Sequence, residues 1–206
     1  MYYPADNADD RTATFKLRAG VALVGGFAGG EKERDQRNWE TNVTVLSGDL
    51  DRNDTTDAHG VVVDTENIVG DNAYHVVTGD GVTETAVLDG FAITAGSANG
   101  DAAHRCGGGM SNSDNSSPRL ANLTFSGNQA QQGGGMCNFL DTSPVLTDVT
   151  FSGNRAEQGG GMWNNGSDPK LTDVTFGGNE ADHGGGMYNW CASPALTRVT
   201  LIDNRA

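Results

Sequence analysis

The chain has 206 residues, including 30 Gly and 3 Cys, and its 27 acidic side chains outnumber 13 basic ones to give a net charge of −14. That balance excludes a nucleic-acid-binding protein, which needs clustered Lys and Arg, and the lack of an apolar run of about 18 residues excludes a membrane-spanning helix. Short apolar runs recur throughout, so we expect an acidic, Gly-rich, folded β protein.

Residues 1–87 carry no regular repeat, and we interpret them as an N-terminal capping region with the first, irregular turns of the fold. Their most distinctive segment is a run of oxygen-bearing side chains: Asp49, Asp51, Asn53, Asp54 and Asp57. The alternation resembles the opening of a calcium loop, but an EF-hand needs Gly where Asp54 stands and Glu where Gly60 stands. Two interpretations stay open, a looser Ca²⁺ site and a solvated acidic loop.

From residue 88 to residue 206 the chain repeats itself. Four Gly-Gly-Gly-Met tetrapeptides, beginning at Gly107, Gly133, Gly159 and Gly184, stand 26, 26 and 25 residues apart. A second motif, L-x-x-V/L-T-F-x-G-N, begins between them at Leu120, Leu146 and Leu171, with a divergent copy at Leu196. Each half-unit holds one short β-type run, and no helical period separates the runs. We therefore predict an all-β parallel β-helix, a solenoid of about 25–26 residues per coil.

Equivalent residues of successive coils should then stack into columns. Leu146, Val149 and Phe151 and their copies are predicted to point inward as the core. Two columns of amides are predicted, one of Asn112, Asn138, Asn164 and Asn189 and one of Asn128, Asn154, Asn179 and Asn204. Stacked Asn side chains hydrogen-bond one another and hold the backbone at sharp bends. The unusual composition is therefore mostly architectural.

Two sets of charged residues are candidates for catalysis. The outward column between Leu and Val reads Asn122, Asp148, Asp173 and Arg198. In a polysaccharide lyase, Asp148 and Asp173 would hold a metal ion and Arg198 would act as the base. In a hydrolase, Glu157 and Asp182 share a register on adjacent coils, near the separation of a retaining glycosidase pair. The alternative for both sets is a surface ion pair and solvated loop acids.

Aromatic residues suggest a binding surface instead. The position after each repeat Met should point outward, which would place Trp163, Tyr188 and, two residues further on, Trp190 in an exposed shelf on neighbouring coils. Such rings stack on sugars or anchor protein partners, although an aromatic ladder that only covers the coil is the other interpretation. The three cysteines, Cys106, Cys137 and Cys191, fall in different columns, so we expect three free thiols.

The tetrapeptides Phe125-Ser126-Gly127-Asn128 and Phe151-Ser152-Gly153-Asn154 alternate with the G-G-x-apolar tetrapeptides. That alternation, over about residues 88–206, resembles the repeats of polymorphic outer membrane proteins and related β-helix surface proteins. The resemblance implies a right-handed parallel β-helix that is exported to the extracellular space or the bacterial outer surface and is often adhesive. No signal peptide or anchor is evident, so we expect a fragment of a larger exported protein.

The leading hypothesis is a non-enzymatic surface module that binds a glycan or a surface protein, requires no cofactor and has Ca²⁺ as an optional ligand. The alternative is a carbohydrate-active enzyme, a lyase or a hydrolase. We also expect end-to-end self-association through the C-terminal coil, because Leu196, Val199 and Leu201 would lie under an open strand edge.

Overall fold

A computed structural model describes residues 1–6 and 9–206 as a nearly all-β protein. Its described part holds nineteen strands, which we number along the chain, and two short 3₁₀ helices, Arg34–Gln36 and Thr65–Asn67. Neither these helices nor any other described segment has the length and apolar character of a membrane-crossing helix. The strands form three sheets, each joining strands that are distant in sequence.

The methionine sheet is named for the repeat Met residues at the start of four of its strands. Its strands, in spatial order, are β1 (Phe15–Lys16), β4 (Val77–Asp80), β8 (Met110–Ser113), β11 (Met136–Phe139), β14 (Met162–Asn165) and β17 (Met187–Trp190). The shorter glutamine sheet comprises β7 (Ser97–Ala98), β10 (Gln129–Ala130), β13 (Arg155–Gln158) and β16 (Glu180–His183).

The phenylalanine sheet contains the L-x-x-V-T-F segments. Its main path is β2 (Ala22–Val24), β5 (Val87–Asp89), β9 (Arg119–Ser126), β12 (Val145–Ser152), β15 (Lys170–Gly177) and β18 (Ala195–Thr197). Three further strands complete it: β3 (Val45–Ser47), β6 (Ala92–Thr94) and β19 (Thr200–Ile202). The N-terminal strands thus extend the same sheets that the repeats build.

The pairings between these strands are parallel and keep the repeat register. Met136 lies opposite Met110 on one side and Met162 on the other. In the phenylalanine sheet, Phe151 lies opposite Phe125 and Phe176. The prediction that equivalent residues stack in columns is confirmed.

The main apolar core includes residues from Leu17 to Phe176, and a smaller cluster of Val45, Val61 and Ala92 lies apart from it. At the centre of the main core the fully buried rings of Phe125, Phe151 and Phe176 stack face to face, with centroids 4.9 and 4.8 Å apart. These spacings match the distance of about 4.8 Å between paired strands, so the register of the sheet sets the ring stacking. The predicted inward residues of the first three repeats belong to this core, whereas Leu196 and Leu201 of the last copy are exposed.

Both predicted Asn ladders are present. Asn112 Nδ2 donates to Asn138 Oδ1 at 2.9 Å, and the next two rungs, to Asn164 and Asn189, are 2.8 Å each. In the second ladder, each Nδ2 donates to the next Oδ1 at 2.9–3.0 Å, and each Asn side chain also bonds main-chain groups. The amides of the second ladder therefore supply partners for backbone groups, whereas those of the first ladder bond one another.

A backbone irregularity explains why Leu146 and Val149, three residues apart, both point inward. A regular strand would place them on opposite faces. Asp148 between them adopts a left-handed conformation with φ of 55°, so that Thr147 and Asp148 are both exposed and the alternation of faces is reset. Asn122 and Asp173 take the same conformation at φ of 53° and 56°, and Asn and Asp tolerate it best among non-Gly residues.

The last unit leaves an open edge. β18 ends the main path of its sheet, and β19 pairs on one side only with β15. Leu196, Leu201 and Ile202 on this edge are more than half exposed, at 51%, 59% and 52%. An edge with unpaired backbone groups and apolar side chains can accept another strand. Self-association through this unit stays a prediction.

Candidate functional site

The predicted aromatic residues lie around a shallow cleft of about 210 Å³, at the corner between the methionine and glutamine sheets. Its lining residues are Gln132, Gln158, Trp163, Asn165, Tyr188 and Trp190. We call this the aromatic cleft. The register aligns Trp163 with Tyr188, and Asn165 with Trp190, on neighbouring strands. Gln132 and Gln158 are aligned across the glutamine sheet. The cleft therefore combines flat rings with amides that both donate and accept hydrogen bonds.

The predicted exposed shelf is wrong in one respect, because Trp163 is only 5% exposed. The ring of Phe139 stacks against it, with centroids 6.2 Å apart, and Tyr188 occupies the next strand. Its flat ring is thus covered by neighbours along the sheet. Trp190, at 58% exposure, is the ring that faces solvent, and Tyr188 is half-buried. The indole Nε1 of Trp163 is buried and has no described hydrogen-bond partner.

Sequence reasoning did not identify the two glutamines. They occupy the position four residues before each repeat Met, where Cys106 and His183 stand in the other units. His183 lies opposite Gln158, and its ring contacts the ring of Tyr188 with centroids 6.4 Å apart. The sequence did contain a signal for these glutamines, because the polar column of Gln132, Gln158 and His183 runs parallel to the aromatic column of Trp163 and Tyr188.

A second cleft, of about 420 Å³, lies on the phenylalanine sheet, and we call it the acidic cleft. Trp39 and Glu40 come from the loop after the first 3₁₀ helix, and Asp148 and Asp173 from the sheet. The sequence predicted the two sheet carboxylates as an outward column. It did not predict that a loop some hundred positions away lies against them.

An ion pair with low exposure holds this loop in place. The Arg37 guanidinium, whose side chain is 7% exposed, lies 2.7 Å from Asp89 Oδ2 and 3.0 Å from the Gly25 carbonyl oxygen. It also lies over the Trp39 ring, 4.8 Å from the centroid. Burial alone would raise the pKa of Asp89, but hydrogen bonds from Arg37, Asn122 and Arg34 lower it below its ordinary value. Trp39 is therefore held at the cleft by a fixed cation.

Of the predicted catalytic residues, Asp173 and Arg198 are in direct contact. Arg198 Nε and Nη2 donate to the two carboxylate oxygens of Asp173 at 2.5 and 2.6 Å. This pairing lowers the pKa of Asp173 and raises the pKa of Arg198, so it favours a permanent ion pair over a base that must lose its proton. Glu157 and Asp182 lie on adjacent strands flanked by the pairs Ala156–Ala181 and Gln158–His183, and both are exposed. Catalysis by either set stays a prediction.

The carboxylates of the predicted calcium loop serve as hydrogen-bond acceptors. Asp49 accepts from the backbone N–H groups of Asn53 and Asp54, and Asp57 accepts from those of His59 and Val61. Asp51 accepts from Asn53 Nδ2, and Asp54 from the Val69 N–H and Asn72 Nδ2. Across residues 1–6 and 9–206, no three His, Cys, Asp or Glu side chains converge to hold a metal ion. Calcium binding by this loop stays a prediction, and this arrangement fits it poorly.

Asp54 makes stability depend on pH. Burial raises its pKa from 3.8 to about 6, so the folded protein binds this proton more tightly than the unfolded chain does. Its contribution to stability is therefore present at low pH and is lost as pH rises through that window. We expect Asp54→Asn to gain melting temperature relative to wild type between about pH 4 and about pH 7. A difference that stays constant across this range in thermal melts would contradict the assignment.

The expectation of three free thiols is wrong. Cys106 and Cys137 form a disulfide, with Cα atoms 5.6 Å apart, whereas Cys191 is free and exposed. The two cysteines fall in different repeat columns, but Cys106 lies in the strand bridge to Gln132, at the bend that precedes the strand of Cys137. Column analysis compares equivalent positions and so misses partners that meet across a bend.

No protein-family model, curated protein or solved structure matches the chain. Function therefore has to be inferred from the chemistry of the two clefts, because a fold alone does not determine function.

Proposed function

We propose that the chain is a right-handed parallel β-helix from an exported surface protein of the polymorphic outer membrane protein kind, and that it binds glycans through the aromatic cleft. The β-helix is supported by the offsets of 26 and 25 residues between paired strands in all three sheets. Successive parallel strands joined by crossovers are almost always right-handed, which supports the handedness.

Export is supported by the disulfide between Cys106 and Cys137. Disulfides persist in oxidising compartments and are rare in the cytosol. The repeat resemblance points to the same location, the extracellular space or the bacterial outer surface. A glycan or a surface protein is the kind of partner that such a location offers.

The observation that carries glycan binding is the aromatic cleft itself. Trp190 presents an exposed ring beside the half-buried Tyr188, and the amides of Gln132 and Gln158 lie in the same cleft. Sugars have apolar C–H faces that stack on aromatic rings and hydroxyl groups that hydrogen-bond to amides. A cleft with both rings and amides therefore suits a sugar ligand.

Charge narrows the class of glycan. The protein carries a net charge of −14, and Glu157 and Asp182 are exposed on the glutamine sheet next to the cleft. Such a field repels uronate and other anionic polymers and attracts cationic groups. We therefore assign the cleft to neutral or amino-sugar glycans.

We expect Trp190→Ala to weaken glycan binding at least about tenfold, since an exposed anchoring Trp typically carries a large share of binding energy. A glycan array would identify the ligand, and calorimetry with that glycan would measure the change. Trp39→Ala is the matched control, because Trp39 is also exposed, at 38%, but lines the other cleft. Unchanged affinity in Trp190→Ala would refute the site, and loss in Trp39→Ala alone would move it to the acidic cleft.

A second candidate function, glycan cleavage, is favoured by one observation. Asp148 and Asp173 line the acidic cleft from adjacent strands, whose backbones lie about 4.8 Å apart, and Trp39 lines the same cleft. Mass analysis of the bound glycan after incubation distinguishes the two functions. Shortened products from wild type, absent with Asp148→Asn, would establish an enzyme, and an intact glycan would leave a binding module.

A further inference from the structure

The repeat is broken at one place, and chemistry-bearing side chains gather there. The segment from Ala95 to Cys106 is longer than its counterparts in the later units, and it supplies His104. Insertions in repeat proteins often carry binding groups, because the stacked units can tolerate them only as loops. The disulfide from Cys106 to Cys137 ties the end of this insertion to the next unit.

His104 and His75 direct ring nitrogens at each other. His104 Nδ1 lies 3.4 Å from His75 Nε2, which is long for a hydrogen bond between nitrogen atoms. Two nitrogen ligands at about 2.0–2.1 Å from one tetrahedral Zn²⁺ lie about 3.3–3.4 Å from each other. The separation is therefore the one that two imidazoles adopt around a shared metal ion.

The surroundings of His75 suit a ligand. Its side chain is buried, and Nδ1 lies 3.0 Å from the Gly107 carbonyl oxygen, which can only accept a hydrogen bond. Nδ1 therefore carries the proton of the neutral ring, and Nε2 presents a lone pair toward His104. Metal-binding histidines commonly donate their second ring N–H to a carbonyl in this way.

His104 is held as firmly from the other side. Its ring stacks on Tyr74, with centroids 4.6 Å apart and planes within 8°, and the Arg11 guanidinium lies over the same Tyr74 ring. The turn that carries His104 is closed by hydrogen bonds from Gly100 N–H to the His104 carbonyl and from His104 N–H to the Asp101 carbonyl. Both imidazoles are thus positioned before any ligand arrives, which lowers the entropic cost of binding.

We propose that His75 and His104 form a binding site for one divalent transition-metal ion of the Zn²⁺ or Cu²⁺ class. Imidazole suits these ions, and affinity for such sites rises toward Cu²⁺ along the first-row series. Water can occupy the remaining coordination positions of such an ion. The site is separate from both clefts and does not depend on glycan binding.

The test is titration of the protein with Zn²⁺ and with Cu²⁺ alone, followed by calorimetry and by electron paramagnetic resonance of the copper form. Wild type should bind one equivalent, and the copper spectrum should show coupling to two imidazole nitrogens. His104→Phe keeps a ring on Tyr74 but removes the ligand, so it should bind at least about tenfold more weakly.

The chain provides matched controls, because His59 and His183 are its other two histidines and both are exposed. His59→Asn and His183→Asn should bind metal as wild type does. Should His104→Phe not fold, His104→Gln and the nitrogen coupling in the wild-type copper spectrum decide the question. Unaltered affinity in a folded His104 variant, or a copper spectrum without imidazole coupling, would overturn the site.

Discussion

Replacing Asn154 with Ala is expected to lower the free energy of unfolding by about 4 kcal/mol. Asn154 Oδ1 accepts from both the backbone N–H and the side chain of Asn128, at 3.1 and 3.0 Å. Its Nδ2 donates to the Phe125 carbonyl and to Asn179 Oδ1, at 2.9 Å each. Alanine would remove the partners of the buried Asn128 N–H and of the Phe125 carbonyl, both on the preceding unit, at about 1–3 kcal/mol each.

Asn165→Ala is the matched control, because Asn165 belongs to the same unit but is half-buried and lies outside both ladders. We expect it to cost less than about 1 kcal/mol, as most substitutions outside buried networks do. Urea unfolding of the two variants and wild type measures the difference. Equal destabilisation by the two variants would show that an Asn in the ladder stabilises the protein no more than an Asn outside it.

The ladders were predictable because they depend on spacing alone. Once Asn128 and Asn154 are equivalent positions of stacked units, their amides must lie about one strand spacing apart. The core rings of Phe125 and Phe151 follow from the same reasoning. Nothing beyond the repeat length was needed to place either pair.

Features that depend on contacts between different columns were not predictable in this way. The burial of Trp163 depends on Phe139, two positions away in the pattern and one strand away in space. The acidic cleft depends on a loop fixed by Arg37, which belongs to no repeat. Tertiary contacts of this kind leave no periodic signal, so only the structure identifies them.

The column of Asn122, Asp148 and Asp173 illustrates how one signal can have two causes. The sequence suggested catalytic carboxylates, but all three residues have positive φ, where Asn and Asp are favoured for backbone reasons. Arg198, the next residue of the column, also has a positive φ, of 52°, although Arg does not favour this conformation. Its guanidinium is hydrogen-bonded to Asp173. Conformation accounts for the column's residue types, and this is why the binding function ranks above catalysis.

Reduction of the disulfide between Cys106 and Cys137 is the second large effect we expect. The two residues are 31 positions apart, and a cross-link that closes a loop of this size stabilises by about 3–4 kcal/mol through the unfolded state. Urea unfolding with and without a phosphine reductant should show this loss in wild type. Cys106→Ser should be destabilised by a similar amount and should no longer respond to the reductant.

Cys191→Ser is the control for this experiment, since Cys191 is the exposed free thiol and should contribute nothing to the effect. Thiol alkylation of the unreduced, denatured protein should label one cysteine, and labelling should rise to three after reduction. If three thiols are labelled before reduction, in protein made under oxidising conditions, the disulfide between Cys106 and Cys137 does not form. That result would also remove the main support for export, because the cross-link is what ties the chain to an oxidising compartment.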